Sequence, residues 1–375
     1  MTTLLSDNDV IDRIFQHIDN KTTDLGETVW KEPVENYMSQ ERFEKEIELL
    51  RRMPVPYCPS AALLDKGSYI ARKSAGRPLL VVRGEDGVVR AFKNACRHRG
   101  MKLKGDESGC TKAFVCPYHA WTYGLDGALK HIPGNEAFPG INKEDHGLVP
   151  VHSVVEKNGV VFVTQDEPIS EGCLESIPDL FSPEQKVFEQ STMSDSANWK
   201  LLGETSMEGY HIKSLHNKSF YPYGVDNINV IETFGRNSRV TFPFRRIEKL
   251  REIPREERRI DGMVTYVIQL FPNCHITTLS SHSILIILEP VSPNETEWVV
   301  YRLTNKLGNG PARSEADTKK DADFVKNAGL DEDRYAAQSI QDSLETGANE
   351  FLTFGQCESA IVHFHKHLDD QIACL

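Results

Sequence analysis

Cys96-Arg97-His98-Arg99-Gly100 and Cys116-Pro117-Tyr118-His119-Ala120-Trp121 each hold one cysteine and one histidine, with seventeen residues between the pairs. Two thiolates and two imidazoles on two short loops make a metal site. A [2Fe–2S] cluster of mixed ligation needs that set, two Cys on one iron and two His on the other, and its neutral imidazoles raise the reduction potential above that of an all-Cys cluster.

The competing reading is a structural Cys2His2 zinc site, which usually leaves about two to four residues between paired ligands and about three to five between paired His. One residue between Cys96 and His98 fits that poorly, and ligand type and spacing together favour a Rieske [2Fe–2S] cluster held by Cys96, His98, Cys116 and His119. Pro117 fixes a backbone φ in one loop, and Gly100 and Gly124 allow chain reversals close to the metal. Cys58, Cys110, Cys173, Cys274, Cys357 and Cys374 show no second ligand spacing and read as ordinary thiols of a reducing compartment.

Outward from the cluster, strand-like segments PLLVV, VVRAF and NGVVFV alternate with turns such as GEDG, which predicts a small antiparallel β domain over residues 55–165. Residues 1–54 read as a polar helical segment packing on the domain of residues 166–375, with Phe43, Ile47 and Leu50 on one helix face and Pro54 and Pro56 ending it. Residues 166–375 form a second, α+β domain. A helix is expected from the N-cap Asn198 through WKLLGETSMEGYH, strands over Met263–Phe271, Ser283–Glu289 and Glu297–Leu303, and a late helix over Asp331–Phe351.

Composition sets bounds. The 375 residues are 39% hydrophobic and 26% charged, ordinary for a globular protein. The longest apolar run is Ile284–Leu288, too short to span a bilayer, and MTTLLSDNDVIDRIF lacks the form of a signal peptide, so a cytoplasmic protein is expected, with no membrane partner. A net charge of −12 argues against nucleic acid. From Arg72 to Lys104, however, ten basic residues face only Glu85 and Asp86, which makes this stretch a candidate docking face for an acidic electron donor.

The segment NWKLLGETSMEGYHIKSLH carries Glu208, His211 and His216. His211 and His216 are five apart, about 140° round a regular helix, so both reach one metal only where the helix ends or is distorted. Two His and a carboxylate form the facial triad of non-haem Fe(II) oxygenases. Candidate carboxylates in the late helix are Asp331, Glu332, Asp333, Asp342, Glu345 and Glu350.

The CxH…CxxH pair followed by NWK…ExYHxxxxH resembles the Rieske non-haem iron oxygenases, the α subunits of ring-hydroxylating dioxygenases, over most of the chain. The resemblance implies an α+β fold, a small antiparallel Rieske domain joined to a catalytic domain whose central antiparallel sheet is flanked by helices. It implies cluster ligation by the four residues above, mononuclear Fe(II) on His211 and His216, and Glu208 as the acidic bridge between centres. SIQDSLETGANEF matches the family's late-helix pattern and selects Asp342 as third iron ligand, with Glu345 as runner-up. Thr205 and Asn349 stand where the pattern has Asn and Gln, and RRMPVPYCPSAAL lacks the family's Trp-containing opening. The implied function is a terminal oxygenase using O2 and electrons from NAD(P)H, delivered by a separate ferredoxin or flavin reductase, to hydroxylate a small aromatic or largely apolar molecule. Oxidative O- or N-demethylation is the alternative within the family, an electron-transfer-only Rieske protein the alternative outside it, and a homotrimer the implied assembly. His363, His365 and His367 read as packing elements, and His275 and His282 fall where the family builds its substrate pocket.

Overall fold

The computed structural model describes residues 4–170, 172–305, 315–326 and 331–375. The chain divides into two compact units, Leu50–Glu171 with Pro178–Glu184, and Met1–Leu49 with Gly172–Ile177 and Gln185–Leu375.

The second of these begins with α1 (Asp7–Asn20), capped by the Ser6 hydroxyl on the Asp9 amide. Val10, Ile11, Ile14 and Phe15 recur at helical spacing and are buried against Val230, Ile247 and Val264. Strand β1 (Trp30–Pro33) and the single turn α2 (Glu35–Met38) lead to α3 (Gln40–Arg52), which stops before Pro54. The buried face of α3 is shifted from the expected one: Leu50 is buried as expected, but Phe43 and Ile47 are half-buried, whereas Glu46 is buried beside Leu49. The reason is chemical. Glu46 accepts from the Trp199 indole (2.8 Å), from Lys200 Nζ (2.7 Å) and from Arg42 Nε (3.1 Å), so a fully paired carboxylate occupies a core position.

The cluster-bearing unit is made of short antiparallel strands: β2 (Val55–Pro59), β3 (Ser68–Ser74), β4 (Arg77–Arg83), β5 (Val89–Lys93), β6 (Glu107–Cys110), β7 (Phe114–Val115), β8 (Thr122–Tyr123), β9 (Leu129–His131), β10 (Ser153–Lys157) and β11 (Val160–Thr164). They form a four-stranded sheet ordered β5-β4-β3-β6 and two three-stranded sheets, β7-β8-β9 and β10-β11-β2. Leu80, Phe92, Leu103, Phe114, Trp121 and Tyr123 build one core that also encloses Cys96 and Cys116.

The larger unit is organised by seven antiparallel strands, β12 (Val187–Asp195), β13 (Val230–Phe234), β14 (Asn237–Pro243), β15 (Val264–Leu270), β16 (Cys274–Thr278), β17 (His282–Ser292) and β18 (Glu295–Thr304). Strands β13 to β18 form a meander, and β12 adds at the far edge beside β18. The run Ile284–Leu288 lies in β17 and is buried on both faces, which is why it reads as continuous rather than alternating apolar sequence. The helix after Asn198 is α4 (Trp199–Glu204), only six residues long, and it packs on β17 and on the late helix. That late helix is α6 (Asp331–Leu344), preceded by α5 (Glu315–Val325). Strand β19 (Phe351–Phe354) returns to pair with β1, and α7 (Ser359–Ile372) packs on β13 and β14. His365 of α7 is wholly buried, bonded to Glu204 at 2.7 Å, while His363 and His367 pair on another side of the helix, a packing arrangement for all three. Among the described residues no helix is long and apolar enough to cross a membrane.

Candidate metal centres and substrate cavity

The two cluster loops are built on one plan. In each, the Cys amide donates to the carbonyl five residues on, Cys96 to Met101 and Cys116 to Trp121 (both 2.8 Å), and its carbonyl accepts from the amide four residues on, Gly100 (2.9 Å) and Ala120 (3.0 Å). Closing such a loop needs a left-handed residue at that fourth position, supplied by Gly100 at φ +76° and Ala120 at φ +56°. Gly124 is not left-handed; it belongs to the next turn and not to the metal loops.

Both cysteines are buried and both imidazoles sit half-exposed at the loop tips, with ring centroids 4.7 Å apart. Trp121 stacks on His98 at 5.1 Å, and the Tyr123 hydroxyl bonds both Cys96 Sγ (3.3 Å) and the Arg97 amide (2.9 Å). Burial, then His119 and Arg99, hold His98 below its ordinary pKa, which keeps it in the neutral form a ligand needs. His119 Nδ1 is buried without a hydrogen-bond partner. An orphaned ring nitrogen beside two buried thiols fits a cluster iron, since a buried imidazole nitrogen is otherwise costly.

The basic stretch is less bare than its sequence implies. Arg77 pairs with Asp166, Arg83 with Glu156, Arg90 with Asp86, Lys102 with Asp106 and Lys104 with Glu107, while Arg72 is buried. Exposed members of the set outside these pairs are Lys73, Lys93, Arg97 and Arg99, the last two within a cluster loop.

In the larger unit α4 ends at Glu204, and residues 205–223 run as successive turns. Glu208 and His211 therefore do not share a helix face, since the expected helix stops before them, and His211 and His216 lie where the helix has ended, as their five-residue spacing requires. The turn bonds from Leu215 N to His211 O (2.8 Å) and from Tyr221 N to His216 O (3.0 Å) bring the two imidazoles together, their Nε2 atoms 3.1 Å apart. The carboxylate that meets them is Asp333, with Oδ1 3.0 Å from His216 Nε2 and 3.5 Å from His211 Nε2. The ligand atoms of these three side chains lie within 4.8 Å of one another, close enough to hold one metal ion.

Asp342 does not reach the pair. It lies nine residues along α6 from Asp333, which is half a turn round the helix and about 13 Å along its axis, and it is exposed, as is Glu345. The rotation of α6 is fixed by Arg334, whose guanidinium grips Asp195 at 2.6 and 2.7 Å, and by Gln338, which bonds the same carboxylate at 2.7 Å. With that face turned to β12, Glu332 and Asp333 point to the histidines.

Each imidazole is also held from behind. Glu208 accepts from His211 Nδ1 and Glu332 accepts from His216 Nδ1 (2.6 Å), leaving both Nε2 atoms for the metal. Sequence reasoning assigned no role to Glu332; its signal was its place beside Asp333 in the first turn of α6. Burial opposes charge on the imidazoles, but Asp333 and Glu208 raise His211 to about 10, and Asp333 and Glu332 raise His216. A site so biased towards positive charge, with Asp333 Oδ1 buried and lacking a hydrogen-bond donor, fits a divalent cation.

A cavity of about 660 Å³ opens from this group. Its walls are apolar and aromatic, with Ile284, Ile286, Leu288 and Trp298 from the sheet and Phe220 and Phe324 from the opposite side. Thr205 lines it too, its hydroxyl bonded to Leu202 O at 2.9 Å, so the departure from the family's Asn is locally satisfied. Of the two histidines expected near a pocket, His275 lines it, donating or accepting with Ser206 Oγ at 2.9 Å, and burial lowers its pKa to about 4. Gly203 makes room for it: a Cβ there would meet His275 Nε2 at 2.9 Å. His282 is buried in β17 beside Ser281 and Asp321.

Family models match both parts of the chain. The family model of the Rieske [2Fe–2S] domain matches residues 53–153, and that of the ring hydroxylating alpha subunit catalytic domain matches residues 184–373, just over half of the chain. The glycine betaine monooxygenase oxygenase subunit of Chromohalobacter salexigens is 37% identical over 157 residues, 40% of this chain and 35% of that protein. The carnitine monooxygenase oxygenase subunit of Escherichia coli K12 is 32% identical over 197 residues, 50% of this chain and 52% of that protein. The matches thus span about a third to a half of these relatives. Among solved structures, a quaternary ammonium Rieske monooxygenase in complex with L-carnitine superposes with a TM-score of 0.76 at 22% identity, covering 98% of this chain and 99% of that one. Naphthalene 1,2-dioxygenase from Rhodococcus sp. bound to indole gives 0.74 at 18%, with the same coverage. Both share the fold. With its twin-loop cluster site in one unit and its His-His-Asp group in the other, the chain belongs to the ring hydroxylating alpha subunit family and carries that family's Rieske [2Fe–2S] domain and mononuclear-iron catalytic domain.

Proposed function

We propose that the chain is the terminal oxygenase of a multicomponent system, which hydroxylates a C–H bond next to the nitrogen of a small N-methylated cation. The observation that carries the reading is the convergence of His211, His216 and Asp333 at one end of an aromatic-walled cavity. Aromatic faces attract quaternary ammonium groups, and the relatives named for glycine betaine and carnitine support that substrate class over the aromatic one expected from the family. At one N-methyl group, with the other substituents on nitrogen unchanged, the balance is N+–CH3 + O2 + 2 e− + 2 H+ → N+–CH2OH + H2O. The product then loses formaldehyde and a proton to leave the tertiary amine.

His211, His216 and Asp333 would hold Fe(II), and Cys96, His98, Cys116 and His119 the cluster; the mononuclear iron supplies O2 activation and the cluster supplies electrons. Glu208 and Glu332 keep both imidazoles in the tautomer that presents Nε2. The apolar walls exclude bulk water from the reacting carbon. His275 stays neutral at physiological pH and orients Ser206 towards the cavity. The electrons would come from NAD(P)H through a separate ferredoxin or flavin reductase, and the assembly would be a homotrimer.

The test is turnover with a competent reductase on a panel of glycine betaine, carnitine, choline and biphenyl, with products identified by mass spectrometry. Formaldehyde or another C–N cleavage product is the expected result. Ring diols from biphenyl, with the N-methyl cations untouched, would replace this reading by the aromatic one.

A further inference from the structure

Two arginines that follow the end of β14 line the cavity. Arg246 is fixed there: its Nε donates to Gly262 O (2.6 Å), its Nη2 to Ser280 Oγ (2.8 Å), and its guanidinium lies over the Phe244 ring at 4.5 Å. Arg245 donates to Tyr221 O at 3.2 Å and lies over the Tyr221 ring at 5.0 Å. Both residues are exposed, which puts them at the solvent side of the cavity. Contacts run from the metal group towards this place through His216 and Phe220 (4.9 Å) and Phe220 and Phe324 (6.3 Å), with Asp321 one turn before Phe324 bonded to Ser281, the neighbour of Ser280. Aromatic side chains thus lie between the metal group and the arginines.

From this we infer that Arg245 and Arg246 form an anion subsite that selects substrates bearing a carboxylate at the end remote from the oxidised carbon. The inference rests on the reading of the cavity as the substrate site. Guanidiniums on two consecutive residues, both lining the cavity, bring two positive charges and planar donors suited to a carboxylate. They also repel a plain cation, so an N-methylated substrate is admitted as a zwitterion, its nitrogen among the aromatic rings and its carboxylate at the mouth. Asp321 lines the same cavity and would oppose an anion, but its carboxylate accepts from Ser281 Oγ and faces His282 Nδ1 at 3.4 Å, so part of its charge is engaged by the protein. The pair therefore acts as a specificity filter and takes no part in oxygen chemistry.

The experiment measures binding of matched pairs to the holoenzyme by calorimetry: glycine betaine against its amide, carnitine against its methyl ester, and benzoate against benzamide. The acid should bind at least tenfold tighter than its neutral counterpart, and the Arg245→Gln, Arg246→Gln double variant should bring that ratio close to one. Arg245→Lys, Arg246→Lys should keep part of the preference, and an unchanged cluster spectrum reports correct folding. No acid preference in the wild type, or a preference that survives the double Gln variant, overturns the subsite. If betaine and carnitine bind by this rule yet give no C–N cleavage with a competent reductase, the filter stands and the proposed reaction falls.

Discussion

Asp333 carries the first prediction at the residue scale. Asp333→Ala should remove the mononuclear iron and abolish turnover while the visible spectrum of the cluster is retained, whereas Asp342→Ala should change neither; iron analysis beside activity checks both. Glu332→Gln weakens the hold on His216 and should lower iron affinity about 10- to 100-fold. The four candidate cluster ligands stood out by residue type and spacing, whereas the five-residue spacing of His211 and His216 spoke against a shared metal on a regular helix, and it was the family resemblance that paired them. The carboxylate was not legible, because sequence pattern chose among six acids of one helix by likeness, and what selects Asp333 is the clamp of Arg334 and Gln338 on Asp195, a strand residue 139 and 143 positions away. A second residue-scale expectation concerns acid. His275 and His363 both have folded pKa values lowered to about 4, so the unfolded chain binds protons near pH 6.5 that the folded chain refuses. Stability is then fully present above pH 6.5 and falls as pH drops towards 4, by up to about 3 kcal/mol for each. Unfolding midpoints of wild type and His275→Asn across that window check it, the variant showing the shallower fall.

Among the elements, α4 ties the N-terminal helices to the iron-site unit. Six of its residues are buried, and it is pinned to α3 by the pair of Lys200 and Glu46, both essentially free of solvent. Lys200→Met leaves the Glu46 carboxylate with Arg42 and Trp199 alone, and a broken buried pair typically costs about 3–5 kcal/mol. The thermal midpoint should fall accordingly, and the double change Lys200→Met, Glu46→Leu should recover part of it. Strands β15, β17 and β18 were readable to within a few residues, since apolar runs bounded by turns survive any tertiary context. The shortness of α4 was not. Its sequence continues with helix-compatible residues, so the five-residue spacing of His211 and His216 required a break but nothing local marked it at Glu204.

For the whole molecule, a Rieske unit and an iron-site unit in one chain raise the matter of which cluster serves which iron. In the proposed homotrimer, Cys96→Ala, lacking the cluster, and His211→Ala, lacking the mononuclear iron, should each be inactive alone, and co-expressed mixed assemblies should regain activity if electrons cross between subunits. Purified mixed trimers with correct metals and no turnover would place the transfer within one chain and withdraw the bridging role expected of Glu208. The unit map has a further consequence, for synthesis on the ribosome. The Rieske unit is complete once residues 50–171 and 178–184 are made, while β1 near the start pairs Trp30 with Phe354, more than three hundred residues later. At about 5–20 residues per second, the first strand waits roughly 15–60 s for its partner, long enough for the Rieske unit to fold in the interval. The iron-site unit closes last, so cluster insertion can be complete before the cavity beside Asp333 exists.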